Sequence, residues 1–102
     1  NGRVIGYTCF GEIACTKGSF DLYWIAVHND IRGSGIGKKL LALTEKKISE
    51  MGGKRIYVET SNRKLYEATR VFYLKCRYTV EAILKDFYGP EDDKVIFLRV
   101  IG

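Results

Sequence analysis

Between Ile31 and Leu41 the chain reads IRGSGIGKKLL, with glycine at 33, 35 and 37, an arginine before them and two lysines after. These residue types suit an anion. Glycines let a ligand approach backbone N–H groups with no Cβ in the way. The first turn of a helix carries several unpaired N–H groups and a partial positive charge, and Lys38 and Lys39 add full charges. The spacing excludes two phosphate loops. The pattern G-x-x-x-x-G-K-[ST] fails because Lys38 stands where the second glycine is required. The pattern G-x-G-x-x-G fails because Gly33-x-Gly35 leads to Lys38 and Gly35-x-Gly37 leads to Leu40. What remains is R-x-x-G-x-G, Arg32 to Gly37. On spacing alone, a tight strand-to-helix turn with no ligand stays open beside the anion site.

The elements around this loop follow from apolar periodicity. Val4–Phe10 is β-branched and aromatic and reads as a strand, and Gly11–Ser19 reads as a loop. Phe20–His28 is apolar on both faces and reads as a central strand. From Gly35 to Met51 the residues Ile36, Leu40, Leu43 or Thr44, Ile48 and Met51 form a helical stripe. Lys38, Lys39, Glu45, Lys46 and Glu50 then fall on the wet side. Gly52-Gly53 ends that helix. Arg55–Thr60 is a strand, and Lys64–Arg77 is a helix with Leu65, Ala68, Phe72 and Cys76 as its buried stripe. Thr79–Tyr88 and Lys94–Ile101 are strands joined by the turn-forming run GPEDD. The order β-β-α-β-α-β-β predicts an α/β (α+β) domain, a mixed sheet with two helices packed on it.

With 102 residues the chain has room for one domain, 1–102. Its 46% hydrophobic and 28% charged content is ordinary for a soluble globular protein, and nothing in it reads as a membrane span or a signal peptide. Cys9, Cys15 and Cys76 lack metal-ligand spacing and read as free thiols in a reducing, cytoplasmic setting. With a single histidine, His28, which is expected in solvent, no metal site is expected. The net charge of +5 is spread without a long basic block, so nucleic acid is not the expected partner. Trp24 is expected in the core, and Asp86, Glu91, Asp92 and Asp93 read as a solvated turn or a landing site for a cationic amine. Asn1-Gly2 is a hairpin-turn signal with no strand before it.

R-x-x-G-x-G after a strand ending in IAV, followed by an amphipathic helix, resembles the acetyl-CoA signature of the GNAT acyltransferase superfamily. VFYLKCRY, Val71–Tyr78, is similar to that family's F-Y-x-x-x-G-F segment, and the element order resembles the GNAT core from its third strand to its seventh. The resemblance spans nearly the whole chain. It implies a mostly antiparallel GNAT-like sheet, and it implies that the family's first strand, two helices and second strand are missing, an N-terminal truncation that suits the orphaned Asn1-Gly2 turn.

The resemblance further implies N-acetyl transfer from acetyl-CoA to a primary amine by direct attack in a ternary complex. The acceptor would be a small molecule or a peptide. Arg32, Gly33, Ser34, Gly35, Ile36, Gly37 and Lys38 would hold the CoA pyrophosphate. The backbone of Ile25, Ala26 and Val27 would pair with the pantetheine arm, with an N–H near Val27 polarising the thioester carbonyl. Asn62 is a further candidate for the arm. Tyr73 takes the family's general-acid position: a phenol of pKa ~10 can protonate a leaving thiolate whose own pKa is ~8.5 by analogy with cysteine. Glu59, and after it Asp21, would take a proton from the substrate ammonium, directly or through water.

The chain departs from the pattern at Arg77, where the family has glycine, at Tyr78 for phenylalanine, and at Tyr66, seven before Tyr73, for asparagine. The change at Arg77 is expected to shift the turn after the helix, and Tyr66 and Tyr73 can share one helix side. Two other readings stay open: a non-catalytic CoA-binding module, and a basic nucleic-acid-binding domain whose affinity would fall steeply with salt. A homodimer through the unpaired edge of the first strand is also open.

Overall fold

The computed structural model describes residues 6–27 and 35–102, with side chains from 9 to 23 and from 35 onward. These residues form a five-stranded sheet in the order β1-β2-β3-β5-β4. The strands are β1 (Gly6–Glu12), β2 (Ser19–Val27), β3 (Arg55–Ser61), β4 (Thr79–Gly89) and β5 (Asp92–Val100). Helix α1 (Ile36–Glu50) connects β2 to β3, and a 3-10 turn (Lys64–Tyr66) leads into α2 (Glu67–Lys75). Strand β2 is parallel to β3; the other three pairings, β1 with β2, β3 with β5 and β4 with β5, are antiparallel. The expected α/β (α+β) class and element order are therefore observed.

Register decides which face is buried. Phe20 lies opposite Ile56, and Val58 opposite Phe97. These four are at most 3% exposed and form one cluster with Leu41 and Ile48 of α1 and with Tyr73 and Cys76 from α2 and its cap. Both helices thus cover the same face. Alternation puts Asp21, Tyr57 and Glu59 on the other.

The two helical stripes differ from expectation. In α1 the buried residues are Leu41, Thr44 and Ile48, while Leu43 and Met51 are exposed. In α2 Cys76 is buried as expected, but Leu65 is 73% exposed, Ala68 is exposed and Phe72 is half-buried; Tyr73 takes the core position. The 3-10 turn accounts for Leu65. It advances about 120° per residue against 100° in an α-helix, so residues 64–66 do not share the phase of the helix behind them.

Glu45 also departs from the expected wet side, its side chain being 13% exposed. Its carboxylate accepts from the Tyr78 hydroxyl at 2.8 Å and from Arg99 at 3.0 Å, and Arg99 also donates to the Cys76 carbonyl at 3.3 Å. This network ties α1, the end of α2 and β5 together.

Both helices end in the same hydrogen-bonded turn. In α1 the Gly53 N–H reaches Ile48 O and the Gly52 N–H reaches Ser49 O. In α2 the Tyr78 N–H reaches Tyr73 O and the Arg77 N–H reaches Leu74 O. This is the Schellman arrangement, whose turn residue sits at positive φ. Gly52 has φ 87° and Arg77 φ 73°. The turn after α2 is therefore not shifted by the loss of glycine; the arginine adopts the left-handed conformation itself.

Candidate active site

The feature that organises the site is a parting of strands. β2 and β3 pair only at Ser19–Arg55, Phe20–Ile56 and Asp21–Tyr57. Beyond that point β2 stays paired with β1 as far as Val27, and β3 stays paired with β5 as far as Ser61. Toward each other the two strands present unpaired edges. Four residues of β3, at about 3.3 Å each, make a slit roughly 13 Å long. A bulge lies at its start: Cys9 pairs with Trp24 and Phe10 with Leu22, so Tyr23 has no partner in β1. A bulge bends its strand and increases the local twist, which turns β2 away from β3 just past Asp21.

The slit opens toward the C-terminal ends of both parallel strands. In a β-α-β unit the helix begins where the first strand ends, so the N-terminus of α1 lies at that opening. Gly35 caps α1 with φ 87°, and the first turn holds neither an acidic residue nor a side-chain cap. Gly35, Ile36, Gly37 and Lys38 thus present a helix N-terminus with its field uncompensated. Arg32, Gly33 and Ser34, and likewise His28, lie outside the described residues. Ile25, Ala26 and Val27 are backbone positions of β2 along the parted stretch.

Asp21 stands at the fork itself. Burial and the nearby Glu59 carboxylate push its carboxyl above the usual range, and Lys94 acts against them. Glu59 lies two residues past Tyr57 on the same face, and its carboxylate is 2.8 Å from the Lys94 ammonium. Lys94 also sits 4.1 Å over the Phe87 ring. The two candidate bases are therefore electrostatic neighbours, one of them clamped by a lysine, and Lys94 had no signal in the sequence.

Tyr73 is 3% exposed, with its ring edge-on to Phe72 and Tyr78, each at 5.3 Å. Burial pushes its phenol up to about 12. Tyr66 is 41% exposed, so the two tyrosines do not share a surface. Asn62 is engaged on the β5 side of β3. Its N–H donates to Asp93 O at 3.0 Å and its side-chain oxygen accepts from the Asp93 N–H at 2.9 Å, which leaves its NH2 for other partners. The acidic hairpin is held by its own carboxylates: Asp86 accepts from the Glu91 N–H, Asp93 from the Asp86 N–H, and Asp92 bonds the Ser61 hydroxyl.

Among the described residues no group of three His, Cys, Asp or Glu side chains comes together as metal ligands, and no helix is long and apolar enough to cross a membrane.

The family description "Acetyltransferase (GNAT) domain" matches residues 1–80, which hold β1, β2, the parted stretch, both helices and the start of β4. The chain belongs to the GNAT family. It is 38% identical to a GNAT-family protein from Desulfovibrio desulfuricans of known structure, with a TM-score of 0.98 over 100% of this chain and 64% of that one. Over 73 residues it is 30% identical to the protein named "uncharacterized N-acetyltransferase YvbK" of Bacillus subtilis, covering 72% of this chain and 46% of the relative. A Bacillus subtilis acetyltransferase solved with CoA shares the fold at 20% identity, with a TM-score of 0.84 over 99% of this chain and 72% of that one. The chain thus spans about half to two thirds of the length of these first two relatives.

Proposed function

We propose that the protein transfers an acetyl group from acetyl-CoA to a primary amine, by direct attack with both substrates bound. The observation that carries this reading is the slit between β2 and β3, open at the N-terminus of α1. An extended, amide-bearing arm can add to an unpaired strand edge as a further strand would, and the helix N-terminus is suited to the pyrophosphate behind it. In this reading Gly35 to Lys38, with Arg32, Gly33 and Ser34, hold the pyrophosphate. The backbone of Ile25, Ala26 and Val27 pairs with the arm. The CoA in the solved Bacillus subtilis relative supports the ligand class.

Glu59 or Asp21 takes the proton of the substrate ammonium. The free amine adds to the carbonyl carbon, the C–S bond breaks, the thiolate takes a proton from the enzyme's acid, and the proton that the nitrogen loses in becoming an amide leaves through solvent, from which that acid is restored. The two neighbouring carboxylates at the fork also favour a cationic acceptor. Asn62 contributes to the arm only through its NH2. The acceptor is a small amine or a peptide, and the proposed setting is the cytoplasm.

Tyr73 is assigned the proton that the thiolate takes. A phenol at about 12 is a weaker acid than a thiol at ~8.5, so donation to a fully formed thiolate is uphill by several kcal/mol. The burial of Tyr73, 3% exposed, is the observation that favours the second reading, a CoA-binding module without catalysis.

Calorimetry with CoA tests both readings at once: binding at or below micromolar concentration is expected, and none at millimolar ligand removes both. Thiol release with a panel of amines then separates enzyme from module. In an active protein Tyr73→Phe lowers turnover about a hundredfold with CoA affinity unchanged; an unaltered rate removes Tyr73 as the acid.

A further inference from the structure

Thr60 is one of two buried polar residues among those described, 9% exposed, and its hydroxyl has no hydrogen-bond partner among them. The other, Thr44, donates to the Leu40 carbonyl at 2.9 Å. The hydroxyl next in sequence, that of Ser61, is engaged with Asp92. Among the described residues the sheet offers Thr60 no polar side chain in register. Its partner in β5 is Val95, 6% exposed, and the preceding residue on its face is Val58, 3% exposed. A buried hydroxyl without a partner is costly and rare enough to call for an explanation.

The position supplies one. Thr60 belongs to the stretch of β3 that has parted from β2, on the face covered by the helices. A ligand in the slit would run past it. A threonine hydroxyl can both donate and accept, and the arm of coenzyme A carries two amides that can do either. We propose that Thr60 is a cofactor-binding residue, its hydroxyl bonded to an amide of the pantetheine arm. The inference rests on the CoA reading above and adds a side-chain contact to an arm otherwise assigned to backbone.

The test is Thr60→Val, which keeps the shape and deletes the hydroxyl. Its thermal midpoint without ligand is expected to equal or exceed that of the parent, because an unsatisfied group has been removed. Its CoA affinity is expected to fall about five- to tenfold, the equivalent of one neutral hydrogen bond. Adenosine 3′,5′-bisphosphate, which lacks the arm, should bind parent and variant alike, and Thr60→Ser should bind CoA within about twofold of the parent. A valine variant that binds CoA as the parent does overturns the proposal and leaves the CoA reading standing. Equal losses for CoA and the bisphosphate also overturn it, as a disturbance of the whole site. A parent protein that binds neither ligand overturns the CoA reading and this inference with it.

Discussion

The two edges of β3 are treated differently by the fold. Along one, every residue from Arg55 to Ser61 is paired with β5, from Val100 back to Lys94. Along the other, pairing with β2 ends after three residues. The paired edge is antiparallel and the parted one parallel, and parallel pairing is the slightly less stable of the two per residue. The fold opens where opening costs least, and a bulge at Tyr23 sets the place. Ile56 lies in the stretch paired on both edges, and the gap begins at Val58, one residue beyond the last β2–β3 pair.

This division can be tested by substitutions on each side. The largest effect is expected from Ile56→Ala. Ile56 is fully buried in the segment paired on both edges, so the loss should be about 2–5 kcal/mol in urea unfolding. Thr60→Val, four residues along the same strand but in the parted segment, should leave the midpoint unlowered. If both variants lose stability alike, the two segments are not distinct.

Alkaline titration comes next. Burial raises the phenols of Tyr73, to about 12, and of Tyr78 above their unfolded values. The neutral phenol is thus favoured in the folded state. Its contribution is whole below pH ~10 and declines by at most about 1.4 kcal/mol per pH unit per phenol as the pH rises toward 12. Unfolding free energy measured from pH 9 to 12 should fall in this window, and a flat profile would place these rings in a wetter setting.

Glu45→Gln weakens the charged acceptor shared by Tyr78 and Arg99 and should cost about 1–2 kcal/mol in the same unfolding measurement. Its partner Arg99 lies opposite Ile56, in the stretch of β3 still paired with β2, so CoA affinity should stay constant; a matching loss of affinity would join the two regions. The smallest effect concerns Lys94→Met. Lys94 holds the Asp21 carboxyl down against burial and Glu59. Its removal should move Asp21 to higher pH in a carbon-detected NMR titration, with Lys94→Arg restoring the parent value.

The sequence carried the element order, because it is written in local residue types. Glycine-rich turns, apolar runs and the strand-helix alternation need no knowledge of partners. Helix phase was less legible. Phe72 and Tyr73 are adjacent aromatics, either of which could lie on the buried side, and the choice is made by packing on Tyr78 and Phe97, which are distant or beyond the helix in sequence. The parting of β2 from β3 had no local sign, since it depends on the register of two strands and on a bulge set by a third. For the same reason Thr60 looked like an ordinary strand residue, and the Lys94–Glu59 contact joins residues 35 apart in the chain.

The end of α2 carries a consequence for how such chains are recognised. Arg77 adopts the backbone conformation that the family pattern marks with glycine, while Tyr73 and Tyr78 keep the ring contact across the turn at 5.3 Å. In this chain the turn shape and the aromatic pair five residues apart stand without glycine, which is only the residue that adopts the shape with least strain. A search that demands glycine at this position would pass over this chain.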